Sequence, residues 1–523
     1  PRAHINGAAS FYADLGFSPR GQRHVQVCAG TACFAASGGE HIAAVAHALD
    51  AEPGAVSADG SVSLQPVYCL GYCYGGPAAL DGETPCAGPD LVEQLAGKAP
   101  RRDPEIPFAS AVPDPVILAG VTGADDDPWA PWREVLAAAD SARVQRAVLE
   151  SGLRGRGGAG FPAAVKWKSA SEMPARGPRH LICNGDEGDP GSYVDRLLME
   201  SDPQRLLAGM ALAAYACGAS QGHVYVRSEY PRARDALRAA VLEARAAGEL
   251  GERVHGSDFS FDVEVFEGAG SYVAGEETAL IHSIEGLRGE VQARPPFPTE
   301  SGLLHEPTVV NNVETLSAVP WIVAHGGASY ASLGVGDSRG TKVVCLNERF
   351  RRPGAYEVEL GITIGSIIDD LGGGLRDHHE PAAIQVGGPL GGFLGPDQLG
   401  TPLSFDALRD AGADLGHGSL VALDERVDRE SLLRHFWRFA ASESCGTCVP
   451  CRLGTRLGLE HALAADGGGT TEDLVDPLSA MEHASLCAFG RGVPAVVRSI
   501  ERVYGAGAGS ARGGPSTPHG EQA

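Results

Sequence analysis

The sequence lacks an apolar run long enough to cross a membrane. A transmembrane helix needs about 20 consecutive apolar residues, and the nearest candidate, residues 206–219, is shorter. Asp202, Pro203 and Gly218 suit the cap, first turn and end of a helix. We therefore expect a buried core helix and no direct membrane insertion. No charged segment followed by an apolar core opens this chain, so we predict no signal peptide and a cytoplasmic protein.

Positive charge is also scarce. The 523 residues include 42 Lys and Arg against 66 Asp and Glu, which gives a formal net charge of −24. Such a surface repels the phosphates of nucleic acids and anionic lipids. The composition therefore argues against nucleic acid as a partner. The length alone predicts about three or four domains.

The glycine-rich loop at residues 152–162 lacks the strand that a Rossmann fingerprint requires in front of it. Its glycines fit the G-x-G-x-x-G pattern. The preceding residues, however, show helical spacing after a cap at Asp140 or Ser141, and Pro162 closes the loop. The order of helix, loop and proline turn excludes the ordinary Rossmann interpretation. The loop needs a different explanation.

The twelve cysteines fall into two quartets and four single residues. The early quartet has C-x4-C and C-x3-C spacing, and the late quartet has C-x2-C-x2-C with a distant fourth member. The early quartet is Cys28, Cys33, Cys69 and Cys73, and the late quartet is Cys445, Cys448, Cys451 and Cys487. In a long chain rich in ordinary core residues, such grouping indicates metal before disulfides.

The spacing of each quartet predicts its metal. Three closely spaced thiolates with a distant fourth are typical of a [4Fe–4S] cube, whereas structural zinc sites more often use two separated C-x2-C pairs. The early quartet supplies two ligands per iron for a [2Fe–2S] rhomb. That spacing is less specific, and zinc or disulfides remain alternatives there.

The chain divides into segments by composition and periodicity, and we predict a multidomain α/β protein. Short strands precede the early cysteines, alternating strands and helices form the largest unit, and a small mixed β/α unit leads to a helical region. The predicted bounds are 1–95 for the first unit, 96–114 for a Pro-rich linker, 115–333 for the second unit, 334–430 for the third, 431–504 for the helical unit and 505–523 for a disordered tail.

Further motifs point to a flavin. "EVFEGAGSYVAGEETAL" reads as strand, glycine loop and helix, whose first N–H groups can hold an anionic group. Glu276 and Glu277 either favour the helix start by their charge or bond a nucleotide. Asn311 and Asn312 offer amides that both donate and accept, as a flavin ring edge requires. By composition alone, residues 183–196 form a surface loop.

Together these motifs resemble one family. "GLRGRGGAGFP", "CNGDEGDPG", "GAGSYVAGEETAL", "PTVVNNVET" and "ESCGTCVPCRLG" are similar to the NADH-binding flavoprotein subunit of respiratory complex I and to related diaphorase subunits. The resemblance covers roughly residues 115–500, and the first unit resembles the thioredoxin-like [2Fe–2S] subunit of the same systems. It implies a Rossmann-like FMN and NADH domain, a ubiquitin-like β-grasp (SLBB) domain and a helical [4Fe–4S] domain.

The resemblance also assigns site residues. It implies FMN contacts at Gly155, Arg156, Gly157, Lys166, Asn184, Asp186, Glu187, Tyr272, Gly275, Glu276, Asn311, Asn312 and Thr315. It implies nucleotide contacts at Gly158, Phe161, Asp189, Glu277, Arg294 and Phe297. Without the resemblance, the two phenylalanines read as core aromatics. Asp189 and Arg294 stand where relatives usually carry Glu and Lys, which preserves charge and changes reach.

The expected activity is that of an NAD-dependent oxidoreductase that uses FMN, NAD(H), [4Fe–4S] and [2Fe–2S]. Fusion of the two modules in one chain resembles the beta subunit of formate dehydrogenases that contain molybdenum or tungsten. We therefore expect an iron–sulfur-rich alpha subunit of that kind as the partner. A diaphorase subunit of an NAD-linked hydrogenase or of a complex I-type enzyme is the alternative. A non-enzymatic iron–sulfur scaffold is a remote one.

Overall fold

The computed structural model describes residues 2–123, 127–464 and 474–507. Within these ranges the chain forms four regions, in the predicted order, that pack against one another. None of the helices in the described ranges combines the length and the apolar character needed to span a membrane. Residues 508–523 of the predicted disordered tail lie outside the described residues, whereas residues 505–507 belong to the last helix.

The first region is a small α/β fold built on a five-stranded sheet. Its strands, in spatial order, are Ala55–Val56, Val62–Val67, Arg23–Cys28, Ala78–Asp81 and Thr84–Ala87. The second and third of these are parallel, and the other neighbours are antiparallel. Its helices are Arg2–Ala9, Thr31–Ser37, Glu40–Leu49 and Leu91–Leu95. The strands expected before the early cysteines are confirmed, and the helices Thr31–Ser37 and Glu40–Leu49 lie between them.

The second region contains a four-stranded parallel sheet. The strands, in spatial order, are Thr308–Asn312, His180–Gly185, Gln221–Val226 and Asp262–Glu267. Its α-helices are Ala130–Ala137, Ser141–Ser151, Ala163–Glu172, Val194–Ser201, Pro203–Cys217, Pro231–Ala246, Glu277–Ile284, Val313–Ser317, Val319–His325 and Gly327–Ala331. Of these four strands, Thr308–Asn312 comes last in the sequence but pairs with the first, His180–Gly185, so the strand order reverses between these two strands. A crevice at the carboxyl ends of strands beside such a reversal is where open α/β sheets bind ligands.

Two helices of this region confirm predicted signals. The carboxylate of Asp140 accepts a hydrogen bond from the N–H of Arg143 at 3.0 Å and caps the helix that leads into the glycine loop. Asp202 caps the helix Pro203–Cys217, which ends at Gly218 with φ of 73°. This second helix is buried along nearly its whole length. It is the core helix expected from the sequence.

The third region contains a six-stranded mixed sheet. Its strands, in spatial order, are Phe393–Leu394, Pro381–Val386, Ser419–Asp424, Thr341–Leu346, Gly354–Glu359 and Phe108–Ser110. Short helical segments are Ile364–Ser366, Ile367–Leu371, Arg376–His378, Pro396–Gln398 and Phe405–Asp410, and the strands Gly334–Val335 and Ser338–Arg339 form a small hairpin.

The segment 96–114, predicted as a linker, supplies the edge strand of this third sheet. Phe108–Ser110 pairs in parallel with Gly354–Glu359, whose outer edge would otherwise leave backbone groups unpaired. The buried carboxylate of Glu357 then accepts hydrogen bonds from three successive N–H groups, those of residues 116–118. Prolines are tolerated beside an edge strand as well as in a linker. The Pro-rich composition therefore did not distinguish the two.

The described residues of the fourth region form a bundle of four helices. They are Arg429–Glu443, Val449–Ala464, Val475–Ala484 and Ala488–Gly507. The first packs on the second and the last, and the third packs on the second and the last. The predicted helical region is confirmed, and its last helix continues three residues beyond the predicted end at residue 504.

Candidate functional site

The glycine loop joins the helix Ser141–Ser151 to the helix Ala163–Glu172. The N–H of Gly155 donates to the carbonyl of Phe161 at 2.9 Å and closes the loop on itself. Gly158 has φ of +110°, a backbone conformation that side chains rarely adopt. The loop therefore exposes its backbone over several residues, as close contact with a ligand requires.

This loop lies against the carboxyl end of the strand at the sheet reversal. A Cβ built on Gly157 would lie 2.8 Å from the Cβ of Asn312. The N–H of Arg156 donates to the hydroxyl of Thr315 at 2.8 Å. The structure thus brings the glycine loop and the "VVNNVET" motif together, although about 150 residues separate them.

The guanidinium of Arg156 is the clearest mark of an anion site. The residue is buried, and its Nη2 donates to the hydroxyl of Tyr330 and to the carbonyl of Arg339, both at 2.7 Å. Its Nε and Nη1 find no hydrogen-bond partner in the part of the chain that the structure describes. Buried charged donors need an acceptor, and a phosphate supplies one. The site therefore fits the phosphate of FMN.

Two asparagine amides are fixed at the carboxyl ends of neighbouring strands. Asn184 donates from Nδ2 to the carbonyl of Gly275 at 2.8 Å and accepts from the N–H of Asp186 at 3.1 Å. Asn311 accepts from the indole N–H of Trp167 at 2.8 Å. These bonds hold both asparagines at the strand ends, beside the glycine loop.

The acidic loop after Asn184 is buried, so the surface loop suggested by composition is not what forms. The carboxylate of Glu187 is fully buried and accepts from the hydroxyl of Ser192 at 2.7 Å. It also accepts from the N–H groups of Asp195 and Arg196, both at 3.0 Å, at the start of a helix. Glu187 therefore holds the helix start with the same carboxylate that the resemblance assigns to FMN.

Two further acids of this loop lie in the crevice. Burial raises the pKa of the Asp186 carboxyl well above its usual value, and the guanidinium of Arg227 opposes that shift. Asp189 accepts from the hydroxyl of Tyr272 at 2.5 Å. Burial, followed by the charge of Asp189, raises the pKa of the Tyr272 hydroxyl. Tyr272 is therefore a neutral donor near physiological pH.

Glu276 serves as a helix cap in this structure. Its Oε2 accepts from the N–H groups of Thr278 and Ala279 at 2.9 and 3.2 Å. Its Oε1 forms an ion pair with Arg294. The simpler of the two sequence interpretations, an acid that favours the helix start, describes this geometry. Its Oε1 still faces Arg294, the residue through which a nucleotide would contact Glu276.

Lys166 is held in place by two acceptors in the crevice. Its Nζ donates to the carboxylate of Glu277 at 2.5 Å and to the carbonyl of Val310 at 2.9 Å. Arg294 approaches the other oxygen of Glu277 at 3.2 Å. The ammonium is thus a fixed cation at the carboxyl end of the sheet.

Phe161 and Phe297 lie on the surface of the site. Each is 50% exposed. The alternative interpretation of both residues as core aromatics is therefore wrong. Exposed aromatic rings beside a charged crevice are suited to contact a flat ligand.

The four cysteines of the late quartet surround one pocket. Cys445, Cys448 and Cys451 span the start of the helix Val449–Ala464, and Cys487 precedes the helix Ala488–Gly507. Burial raises the pKa of Cys487 to about 11 and that of Cys451 to about 12. Such thiols lose their protons when a metal binds, because the metal stabilises the thiolate.

The spacing of the sulfur atoms is wider than zinc requires. A tetrahedral zinc–thiolate site with bonds of about 2.3 Å places its sulfurs roughly 3.8 Å apart. Among the described residues, no three cysteine sulfurs lie within 4.8 Å of one another. The late pocket therefore lacks the close grouping of a zinc site, and its four cysteines keep the spacing pattern that is typical of a [4Fe–4S] cluster.

The early quartet is buried at the border between the first and second regions. Cys28 ends its strand, Cys33 lies in the following helix, and Cys69 and Cys73 have sulfurs 3.3 Å apart. The N–H of Gly191, from the acidic loop, donates to the sulfur of Cys73 at 3.2 Å. The early quartet thus contacts the same loop that lines the crevice.

Aromatic side chains connect the three sites. Phe439 meets Tyr68, the neighbour of Cys69, with ring centroids 5.3 Å apart. It also meets Tyr272 of the crevice at 5.1 Å and Phe489 of the late pocket at 6.1 Å. One buried ring therefore packs against all three.

Sequence reasoning missed two residues of the crevice. His417, from the third region, lies beside Asp189, with 3.3 Å between Nε2 and Oδ2. Asp195 accepts from the Nδ2 of Asn312 at 2.6 Å, and burial raises the pKa of its carboxyl. No motif marked the loop of His417, because only the packing of the third sheet brings it to the crevice.

Family comparisons cover three of the regions. Residues 148–321 match the Nuo51 FMN-binding domain, and residues 1–87 match the thioredoxin-like [2Fe-2S] ferredoxin family. Residues 431–507 match the NADH-ubiquinone oxidoreductase-F iron-sulfur binding region. The matched ranges contain both cysteine quartets and most of the crevice.

Relatives that align with most of the chain agree with these matches. The NADP-reducing hydrogenase subunit HndC of Solidesulfovibrio fructosivorans is 42% identical over 358 residues, 68% of this chain and 72% of that protein. The F subunit of the NADH-quinone oxidoreductase of Escherichia coli K12 is 42% identical over 336 residues, 64% of this chain and 76% of that protein. A chain of an NAD+-reducing [NiFe]-hydrogenase in the air-oxidized state aligns with TM-score 0.85 and 34% identity, over 97% of this chain and 88% of that one.

Proposed function

The chain belongs to the family of FMN-binding, iron–sulfur flavoproteins that includes the F subunit of NADH-quinone oxidoreductases, and we propose that it is the diaphorase subunit of an NAD-dependent formate dehydrogenase. Its module is that of an NAD-dependent oxidoreductase with FMN, [2Fe–2S] and [4Fe–4S]. The observation that carries the proposal is the crevice of one chain, which contacts both cysteine quartets.

In this proposal FMN occupies the crevice at the sheet reversal. The free guanidinium donors of Arg156 bind its phosphate, and the glycine backbone at residues 155–158 follows the cofactor. Asn184 and Asn311 present amides to its ring. When bound, FMN accepts the two electrons of a hydride and releases them singly, which is how iron–sulfur clusters take them.

The nicotinamide nucleotide binds on the exposed side. Phe161 and Phe297 form apolar walls that exclude water from the transferred hydride. Glu277 and Arg294 supply the polar contacts, and Lys166 is a fixed positive charge that stabilises negative charge on the flavin. Hydride transfer needs no general acid or base, so we assign none.

The domain division is part of the proposal. The [2Fe–2S] unit occupies residues 1–95, the FMN and NADH unit 115–333, the β-grasp unit 334–430 together with the edge strand Phe108–Ser110, and the [4Fe–4S] unit 431–507. None of the sites in residues 2–123, 127–464 and 474–507 is a centre that activates formate. Electrons therefore enter from a molybdenum- or tungsten-containing alpha subunit, in the cytoplasm, and leave as NADH.

The experiment is substrate-dependent NAD+ reduction by the native complex. The complex is purified anaerobically, its largest partner identified and its metals measured. We expect formate to drive NAD+ reduction and NADH to bleach the flavin absorbance of the chain. Hydrogen-dependent reduction without formate activity would assign the chain to a hydrogenase, the second candidate.

The similarity to a chain of an NAD+-reducing [NiFe]-hydrogenase favours that second candidate specifically. The alignment covers 97% of this chain, including the fused first region. Fusion therefore supports both candidates, and the choice rests on the donor assay. A chain with cluster absorbance but without bound flavin or a response to NADH would contradict both.

A further inference from the structure

A loop of the third region forms one wall of the flavin crevice. A Cβ built on Gly158 of the glycine loop would lie 3.9 Å from the Cα of Gly416. Gly416 has φ of +47°, and a Cβ there would lie 1.9 Å from the carbonyl of Gly387, so a side chain is excluded. A Cβ on Gly388 would lie 3.0 Å from Asp189. Two tight turns therefore fix the position of His417 against the acidic loop.

His417 reaches the crevice with one ring nitrogen engaged and the other free. The residue is 8% exposed, and its Nε2 lies 3.3 Å from the carboxylate of Asp189. Its Nδ1 is buried and has no hydrogen-bond partner in the described ranges of the chain. A buried polar atom left in that state costs about 1–3 kcal/mol.

A second unpartnered atom belongs to Asp195, close to His417. Asp195 is 1% exposed, and its Oδ2 accepts from the amide of Asn312. Its Oδ1 is buried and, within the described residues, has no hydrogen-bond partner. Ligand atoms of Asp195, His417 and Glu187 lie within 4.8 Å of one another. The two residues with an unpartnered atom therefore belong to one small polar site.

The chemistry of this site favours hydroxyl groups over a metal ion. The carboxylate of Glu187 already accepts from Ser192, from two backbone N–H groups and from the hydroxyl of Tyr230 at 3.3 Å. A hard cation requires about six oxygen ligands, whereas the free atoms here are one carboxylate oxygen and one imidazole nitrogen. A hydroxyl both donates and accepts, so adjacent hydroxyls can satisfy the two atoms together.

We propose that His417 and Asp195 hold the hydroxyl-bearing side chain of the bound flavin. The site lies between Asn312 and Asp189, so it connects the anion site at Arg156 with the ring end of the crevice. A flavin mononucleotide carries its hydroxyls between the ring and the phosphate, in the same order. His417 is thus a cofactor-positioning residue supplied by the third region. This inference rests on the flavin site of the proposed function.

Three flavins test the inference on the full chain, prepared with its clusters and reversibly freed of flavin. FMN has ring, hydroxyl chain and phosphate; riboflavin lacks the phosphate; lumiflavin lacks the chain. Binding is measured by ultrafiltration for the parent chain, for His417→Phe and for His417→Gln, which keeps hydrogen-bonding groups. His379→Phe, at the far end of the strand Pro381–Val386 from Gly388, is the control.

We expect His417→Phe to weaken FMN and riboflavin about tenfold, the value of roughly one hydrogen bond. Lumiflavin should bind the variant as it binds the parent, and His417→Gln should recover most of the loss. Asp195→Asn, a second variant in case the first misfolds, should weaken the same two flavins. The control should match the parent.

Other patterns overturn the inference. Equal weakening of lumiflavin would assign His417 to the ring or to the fold, and weakening of FMN alone would assign it to the phosphate. Unchanged affinities, or stoichiometric Mn2+ or Zn2+ binding that depends on His417, would also contradict it. If the parent chain bound none of the three flavins, the proposed function would fail instead.

Discussion

The exposure of Phe161 and Phe297 indicates that these two side chains bind a ligand and do not pack in the core. Both rings are half exposed at the edge of the crevice. Truncating a buried phenylalanine costs about 3–5 kcal/mol of stability, because it leaves a cavity. A half-exposed ring contributes far less, so its loss should appear in ligand binding and not in unfolding.

Phe161→Ala should raise the KM for NADH about tenfold, which corresponds to about 1.4 kcal/mol of contact. We expect its thermal midpoint to stay close to that of the parent. Steady-state NADH oxidation with ferricyanide as acceptor, and a thermal scan, measure the two effects. Leu149→Ala, whose side chain is also exposed on the preceding helix, is the matched control. A large fall in midpoint with unchanged KM would restore the core interpretation.

Lys166 and Lys168 offer a matched pair on one helix. Lys166 donates to Glu277 and Val310 inside the crevice, whereas the side chain of Lys168 is 69% exposed. Lys166→Met should lower kcat/KM for NADH–ferricyanide activity at least tenfold, because it removes the fixed charge beside the flavin. Lys168→Met should leave it unchanged. Equal activity of the two variants would remove Lys166 from the site.

At the scale of elements, sequence reasoning was strongest where a local signal is complete. Asp140 caps the helix before the glycine loop, as predicted. The same reasoning did not identify the strands His180–Gly185 and Thr308–Asn312. Both strands of this parallel sheet are buried along nearly their whole length, so they show no alternation of polar and apolar residues. They nevertheless carry the asparagines of the site.

A buried histidine at the amino end of the first strand of the parallel sheet makes the stability of the protein depend on pH. His180 begins the strand His180–Gly185 and faces His223 with 3.2 Å between ring nitrogens. Burial, reinforced by His223, lowers the pKa of His180 to about 4. Below about pH 6.5 the unfolded chain therefore binds a proton that the folded chain does not bind, and stability falls as pH falls through that range.

His180→Gln should remove part of this acid sensitivity. Between pH 7 and pH 5 the histidine costs the folded state about 2 kcal/mol, a cost that is absent from the glutamine variant. The parent should therefore lose more of its thermal midpoint than the variant over that interval. His4→Gln, on the exposed first helix, is the control. If the thermal midpoints of parent and variant fell equally between pH 7 and pH 5, folding would not lower the pKa of His180.

At the scale of the whole molecule, the site depends on contacts between regions that are distant in sequence. The predicted residues came from motifs, and motifs exist only where several neighbouring residues share one task. His417 is the single residue of its loop that we assign to the site. Phe439 contributes by packing against Tyr68, Tyr272 and Phe489. Neither position carries a local pattern, so the sequence could not mark them.

The two quartets should have separable roles in electron transfer. The late pocket includes Val273, the residue after Tyr272 of the crevice, whereas the early quartet contacts the crevice through Gly191. We therefore expect the late cluster to pass single electrons from the partner to the flavin. The early cluster then serves as a side store.

Cys448→Ser in the native complex tests this order. The variant should lose the iron of the [4Fe–4S] cluster and its electron paramagnetic resonance signal, while flavin content and NADH–ferricyanide activity remain. Donor-driven NAD+ reduction should fall to background, because single electrons no longer reach the flavin. Cys73→Ser should lose the [2Fe–2S] signal alone and keep donor-driven reduction. If Cys73→Ser abolished that reduction and Cys448→Ser did not, the route would run through the first region, past the ring of Phe439 and the loop of Gly191.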